Sequence, residues 1–122
     1  MPKTEPYVSI VPILAEFERR ILARFPRVSP NNNADLRYVW PPTNVRPIAE
    51  HLLYCARRIV AMQERGERLK AARWFGFVQG AMWVLQWVSV VELKTLTSQH
   101  TTGEARVVQA DDTGEMRDGV GA

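Results

Sequence analysis

The stretch ARWFGFVQGAMWVLQWVSVVELK, residues 72–94, decides how this chain folds. Between Arg73 and Glu92 it runs for 18 residues without a charge, with three tryptophans and two glycines four positions apart. A helix that is apolar nearly all round is buried either in protein or in lipid. The stretch therefore belongs to a membrane span, to the middle of a core, or to a surface kept for a partner.

Three features of the stretch argue against a membrane span. Gln79 and Gln86 interrupt it, and the uncharged run is slightly shorter than the roughly 20 apolar residues that a span needs. Residues 89–92, Ser-Val-Val-Glu, have the form of a capping box, which begins a new helix. We therefore predict one helix over 67–87 that ends near Trp87, and a short one over 90–98. A membrane-associated role remains the least favoured of the functional hypotheses.

The predicted helix over 67–87 has two apolar faces, and one of them favours contact with another protein. Glycines on that face permit close backbone approach, and tryptophans dominate protein interfaces. A self-complementary apolar patch most simply forms a symmetric dimer, although the chain's own loop could cover it instead. The candidates for protein interaction are Trp74, Gly76, Gly80, Trp83, Trp87 and Trp40.

Two further helices and a long loop precede this stretch. Apolar residues at helical spacing predict a helix over 10–25 and another over 47–65. Gly66 suits the left-handed position that closes a helix, so 47–65 and 67–87 are predicted to form a helical hairpin. The loop over 26–46 is rich in proline, and Tyr38, Val39 and Trp40 are expected to pin it to the core.

Composition indicates one small all-α domain with an acidic tail. The 122 residues suffice for a single core. Residues 1–98 carry a net charge of +6, whereas 99–122 carry −3 and four of the seven glycines, which is typical of a flexible tail. The lone Cys55 fits a reducing compartment, and no signal peptide is evident, so we expect a cytoplasmic protein.

The segment over 51–94 resembles a group of small proteins that tailed bacteriophages and prophages encode. Their pattern is a helix, a glycine turn, Lys-Ala-x-Arg-Trp-Leu-Gly-Phe-Val-Gln-Gly-x-Leu-Trp, and then Thr/Ser-x-x-Glu-Leu-Lys. This chain has RWFGFVQGAMW at 73–83 and SVVELK at 89–94. It departs from the pattern at Gln86 and Trp87, where members commonly have a glycine that closes the helix. The resemblance implies a viral origin and a helical hairpin, and it implies no activity.

Residues that carry chemistry are scarce. The sequence has no phosphate-binding loop, no dinucleotide fingerprint and no His-Glu-x-x-His motif. His51 and Cys55 stand one helical turn apart, but a zinc site normally needs three or four ligands, and His100 is the only other histidine. We therefore predict a non-enzyme with no metal and no cofactor.

Two functional hypotheses remain, and both are forms of binding. The preferred one is a non-catalytic accessory protein, a homodimer that binds a host, defence or phage protein. The alternative is nucleic-acid binding, because basic residues surround the predicted hairpin turn and phosphate neutralisation supplies affinity. The candidates for that role are Arg57, Arg58, Arg65, Arg68, Lys70 and Arg73.

Overall fold

Four helices form the body of the described part of the chain, so the predicted all-α class is confirmed. The computed structural model describes residues 4–37 and 39–107, and the side-chain surroundings of 9–37 and 39–101. The helices are α1 (Ile10–Arg24), α2 (Arg46–Glu64), α3 (Arg68–Val84) and α4 (Val90–Gln99).

A two-stranded antiparallel ladder, β1 (Thr4–Val8) with β2 (Thr101–Val107), joins the two ends of the described chain. The ladder continues from the hydrogen bond that the Ser9 N–H donates to the His100 carbonyl at 2.8 Å. It lies partly within the segment that the sequence interpretation assigned to a tail over 99–122. The rest of that segment, 108–122, lies outside the described residues.

The core lies where α1 and α3 pack against α2. The buried residues of these helices recur mostly at spacings of three, four or seven, which place them on one face. Phe17 of α1 stacks on Phe75 of α3, with ring centroids 6.1 Å apart and planes 6° from parallel. The fully buried large side chains are Phe17, Ile13, Leu14, Ile21, Leu52, Leu53, Ile59, Met62, Met82 and Val78.

The loop between α1 and α2 is fastened by asparagines, not by the aromatic residues that the sequence suggested. The Asn33 amide nitrogen donates to the Pro47 carbonyl at 2.9 Å, and the Asn31 N–H donates to the Glu50 carbonyl at 3.1 Å. Trp40 is 67% exposed and Val39 is 64% exposed, so the expectation that they pin the loop to the core is wrong. Tyr38 lies outside the described residues.

Helices α2 and α3 end in the same hydrogen-bonded turn, but with different residues in its left-handed position. Gly66 closes α2 with φ 80°, and Gln86 closes α3 with φ 63°. After α3, the Trp87 N–H donates to the Met82 carbonyl at 2.9 Å, which is the long bond of a Schellman motif. Helix α3 therefore ends at Val84, three residues before the predicted end.

Because a side chain in the left-handed region is strained, opposite stability changes are expected at these two turns. Gly66→Ala should lower the free energy of unfolding by about 1–2 kcal/mol, and Gln86→Gly should raise it by about 0.5–1 kcal/mol. Urea unfolding of each variant and of wild type measures both changes in the free energy of unfolding. Two changes of the same sign would contradict this account of the turns.

Candidate interaction site: the groove between α3 and α4

An open groove of about 770 Å³ lies between α3 and α4. Its floor on the α3 side is bare backbone at Gly76 and Gly80, where a β-carbon would have no other group within 4 Å. Trp83 stands at the end nearest the interhelical turn, and Val90 and Leu93 form the α4 wall. The groove is therefore an exposed apolar surface with a glycine floor and a tryptophan at one end.

The tryptophans that the sequence placed together are separated in the structure. Trp83 is 52% exposed, whereas Trp87 is only 8% exposed. Trp87 packs beside Phe25 with ring centroids 5.9 Å apart, and the Arg24 guanidinium lies 5.6 Å from its ring centroid. Because the turn at Gln86 ends α3, Trp87 no longer follows the face on which a continuous helix would have placed it.

The remaining aromatic candidates also lie away from the groove. Trp74 is partly buried and packs against the core, so it is not available to a partner in the way the sequence suggested. Trp40 is exposed but belongs to the loop before α2, and it does not line the groove. Of the predicted interaction residues, the structure brings together only Gly76, Gly80 and Trp83.

Arg20 of α1 holds the α4 wall in place. Its guanidinium donates to the Trp87 carbonyl at 3.0 Å and forms ion pairs with Glu16 at 2.8 Å and with Glu92 at 3.0 Å. None of the residues of α4 is fully buried, and only Leu93 and Leu96 pack partly against the core, so these polar contacts add to its positioning. Sequence reasoning missed Arg20, because 67 positions separate it from Trp87 and no local pattern marks the contact.

The predicted capping box at the start of α4 is present and shares a carboxylate with this network. The Glu92 N–H donates to the Ser89 hydroxyl at 3.0 Å, and the Ser89 N–H donates to the Glu92 carboxylate at 2.9 Å. The hydrogen bond from Arg20, and then that from the Ser89 backbone, lower the pKa of Glu92 to about 2. Hydrogen bonds from Arg19 and then Arg20 lower the pKa of Glu16 to about 2.

These two carboxylates make the position of α4 sensitive to acid. Their folded pKa values of about 2 lie below the ordinary 4.5, so the unfolded chain binds more protons in this range. The stability that they contribute is present above pH 4.5 and is lost as the pH falls from about 4.5 to about 2. Urea unfolding across this range should show the loss. Glu92→Gln keeps the capping hydrogen bonds but removes the charge, so the free energy of unfolding of this variant should fall less steeply with falling pH. A pH dependence equal to that of wild type would contradict the role given to Glu92.

The histidine and cysteine on α2 contact each other and the loop before α2. The Asn33 N–H donates to Nδ1 of His51 at 3.2 Å, so that nitrogen is unprotonated, and Nε2 lies 3.5 Å from the Cys55 sulfur. Burial lowers the pKa of His51 and raises the pKa of Cys55 to about 11, which disfavours a reactive thiolate. Within 4–37 and 39–107, no group of three or more potential metal ligands occurs.

The six candidates for nucleic-acid binding lie on exposed positions around the α2–α3 turn. Two of them face carboxylates: Arg57 lies 3.5 Å from Glu18, and Arg65 lies 2.6 Å from Glu67. Arg68 and Arg73 also have interaction partners. The basic surface is therefore interspersed with acidic groups. The six candidates for nucleic-acid binding are Arg57, Arg58, Arg65, Arg68, Lys70 and Arg73.

Comparisons with protein-family models, curated proteins and solved structures found no match to this chain. None of the helices in the described part of the chain has the length and apolar character needed to cross a membrane.

Proposed function

We propose that this protein is a non-catalytic phage or prophage accessory protein that acts by protein–protein binding through the groove between α3 and α4. The observation that carries the proposal is Trp83, which is 52% exposed beside bare glycine backbone. Tryptophans in such positions dominate the energetics of protein interfaces. The groove is the surface of the described chain that best fits this use.

The shape of the groove favours a macromolecule over a small ligand. Small-molecule sites are usually concave and bury most of the ligand, whereas this groove is open along its length. Its apolar lining also distinguishes it from a phosphate-binding surface, since Lys94 is the only charged residue among those that line it. Nucleic-acid binding by the basic residues around the α2–α3 turn stays the competing hypothesis, and nuclease treatment separates the two.

The biological setting of the proposal rests on sequence resemblance. The run RWFGFVQGAMW over 73–83 is similar to that of tailed-phage and prophage proteins, and its glycines and last tryptophan are the ones that line the groove. We therefore place the protein in the cytoplasm of a bacterial host, with a host, defence or phage protein among its partners.

Replacing Trp83 with alanine is expected to abolish partner binding without harm to the fold. Tagged wild-type protein and the variant are compared as baits in nuclease-treated host lysate, and each captured protein is then purified for a direct binding measurement. Loss of a hot-spot tryptophan should raise Kd at least ~30-fold, the equivalent of about 2 kcal/mol.

Trp40→Ala is the matched control, because Trp40 is also an exposed tryptophan but lies outside the groove. It should leave Kd within about twofold of wild type, and thermal unfolding should show that both variants are folded. Equal weakening by both substitutions would argue against the groove. Capture that occurs only in a parallel lysate without nuclease, together with a gel shift on duplex DNA, would favour the nucleic-acid hypothesis instead.

A further inference from the structure

We propose that the occupant of the groove is a second copy of this chain, whose α3 packs antiparallel to the first about a two-fold axis beside Gly80. The inference rests on the proposed function, because it names the partner of the same groove. Its basis is that one face of α3 carries both a protruding side chain and the space to receive it.

The protruding side chain and the space are at matched positions. Trp83 is 52% exposed, and above Gly76 a β-carbon would meet nothing within 4 Å. The two residues are seven positions apart, which is two helical turns or about 10 Å along one face. A two-fold axis midway between them places each Trp83 over the Gly76 of the second copy. The same surface thus serves both sides of the contact, as an isologous interface requires.

The charges along α3 favour the antiparallel direction. Lys70 and Arg73 lie near its N-terminal end, whereas Glu92, beside its C-terminal end, already pairs with Arg20. An antiparallel pair brings the basic end of one helix to the C-terminal end of the other, where the helix dipole is negative. A parallel pair would bring like charges together. Arg73 also interacts within its own chain.

Helix α4 supplies an independent reason for a covering partner. It has ten residues, none of them fully buried, and Val90 on the groove wall is 48% exposed. Leu93 and Leu96 pack its inner side against the core, so the side that lines the groove is the one left open. A second copy in the groove would cover Val90 and Leu93 and so complete the surroundings of this wall.

Two substitutions test the interface from its opposite sides. Trp83→Ala removes the protruding side chain, and Gly76→Leu fills the space that receives it. Since Gly76 faces open space and leucine is the better helix former, this second variant should melt at the same temperature as wild type or higher if it is measured as a monomer. Light scattering coupled to gel filtration should report a dimer for wild type, and each substitution should raise the dimer Kd at least ~30-fold.

Mixing the two variants tests the geometry itself. In a mixed pair, one contact keeps a wild-type Trp83 over a wild-type Gly76, and the other sets the introduced leucine against the introduced alanine. The mixture should therefore form heterodimers, identified by a mass tag on one variant, although each variant alone is monomeric. Trp40→Ala should dimerise as wild type does.

Each outcome decides between the dimer and other occupants of the groove. A wild-type protein that stays monomeric at high micromolar concentration would overturn the dimer, and the proposed function would survive if Trp83 were still needed to bind a different purified protein. A dimer that persists in both variants would place the interface elsewhere. Failure of the mixture to form heterodimers would reject the antiparallel arrangement.

Discussion

Replacing Phe17 with alanine is expected to lower the free energy of unfolding by about 3–5 kcal/mol, the largest effect of any single substitution considered for this protein. Phe17 has no exposed surface, and its ring stacks on Phe75 at 6.1 Å. It therefore joins α1 to α3, and its removal leaves a cavity that the surrounding helices can fill only in part. Urea unfolding monitored by circular dichroism measures the loss.

Two further variants keep this prediction testable if the alanine variant does not fold. Phe17→Leu should lose less stability, by about 1–1.5 kcal/mol, because leucine fills more of the cavity. Phe77→Ala is the matched control, since Phe77 is 56% exposed and its one described ring contact is edge-on to His51, so its loss should cost only about 0.5–1 kcal/mol. Similar losses at the two phenylalanine positions would show that the contact between α1 and α3 does not dominate the core.

Replacing Arg20 with methionine is expected to lower the free energy of unfolding by about 2 kcal/mol and to loosen α4. The change leaves the Trp87 carbonyl without its donor and removes the shared partner of Glu16 and Glu92. An unsatisfied buried acceptor costs about 1–3 kcal/mol, and methionine retains most of the apolar packing. Amide hydrogen exchange should be faster in the variant than in wild type, and this increase should be larger over α4 than over α2.

Arg19→Met is the matched control for Arg20. Arg19 also contacts Glu16, but its side chain is 66% exposed and makes no described contact with α4. Exposed ion pairs contribute little, so the expected loss is within about 0.5 kcal/mol. If α4 exchanged equally fast in both variants, the arginine at position 20 would not be what holds this helix.

Short-range patterns in the sequence predicted the helices well, because the forces that define helix ends act over three or four residues. The capping box at Ser89 and Glu92 was predicted and is present. The all-α class followed from the apolar spacing and is confirmed. The end of α3 was predicted three residues too late, because nothing in the local sequence marks Gln86, a non-glycine residue, for a left-handed turn.

The candidate site was only partly predictable. The glycines and Trp83 were predicted as a surface for a partner, and the structure shows them lining an open groove. Trp87 was grouped with them and instead packs on Phe25, the residue that follows α1, a contact between residues 62 positions apart. The loop attachment was assigned to aromatic residues, although hydrogen bonds from Asn31 and Asn33 make it.

By itself, the sequence determined the helical class, the hairpin turn at Gly66 and the start of α4, since periodicity, a left-handed glycine and a capping box are all local. The tertiary structure alone decided which tryptophan is covered and how α4 is held. Those outcomes depend on Phe25 and Arg20, which reach α4 and its preceding turn only after α1 has packed against the rest of the chain. Burial and long-range ion pairs belong to the packed chain, and no short segment encodes them.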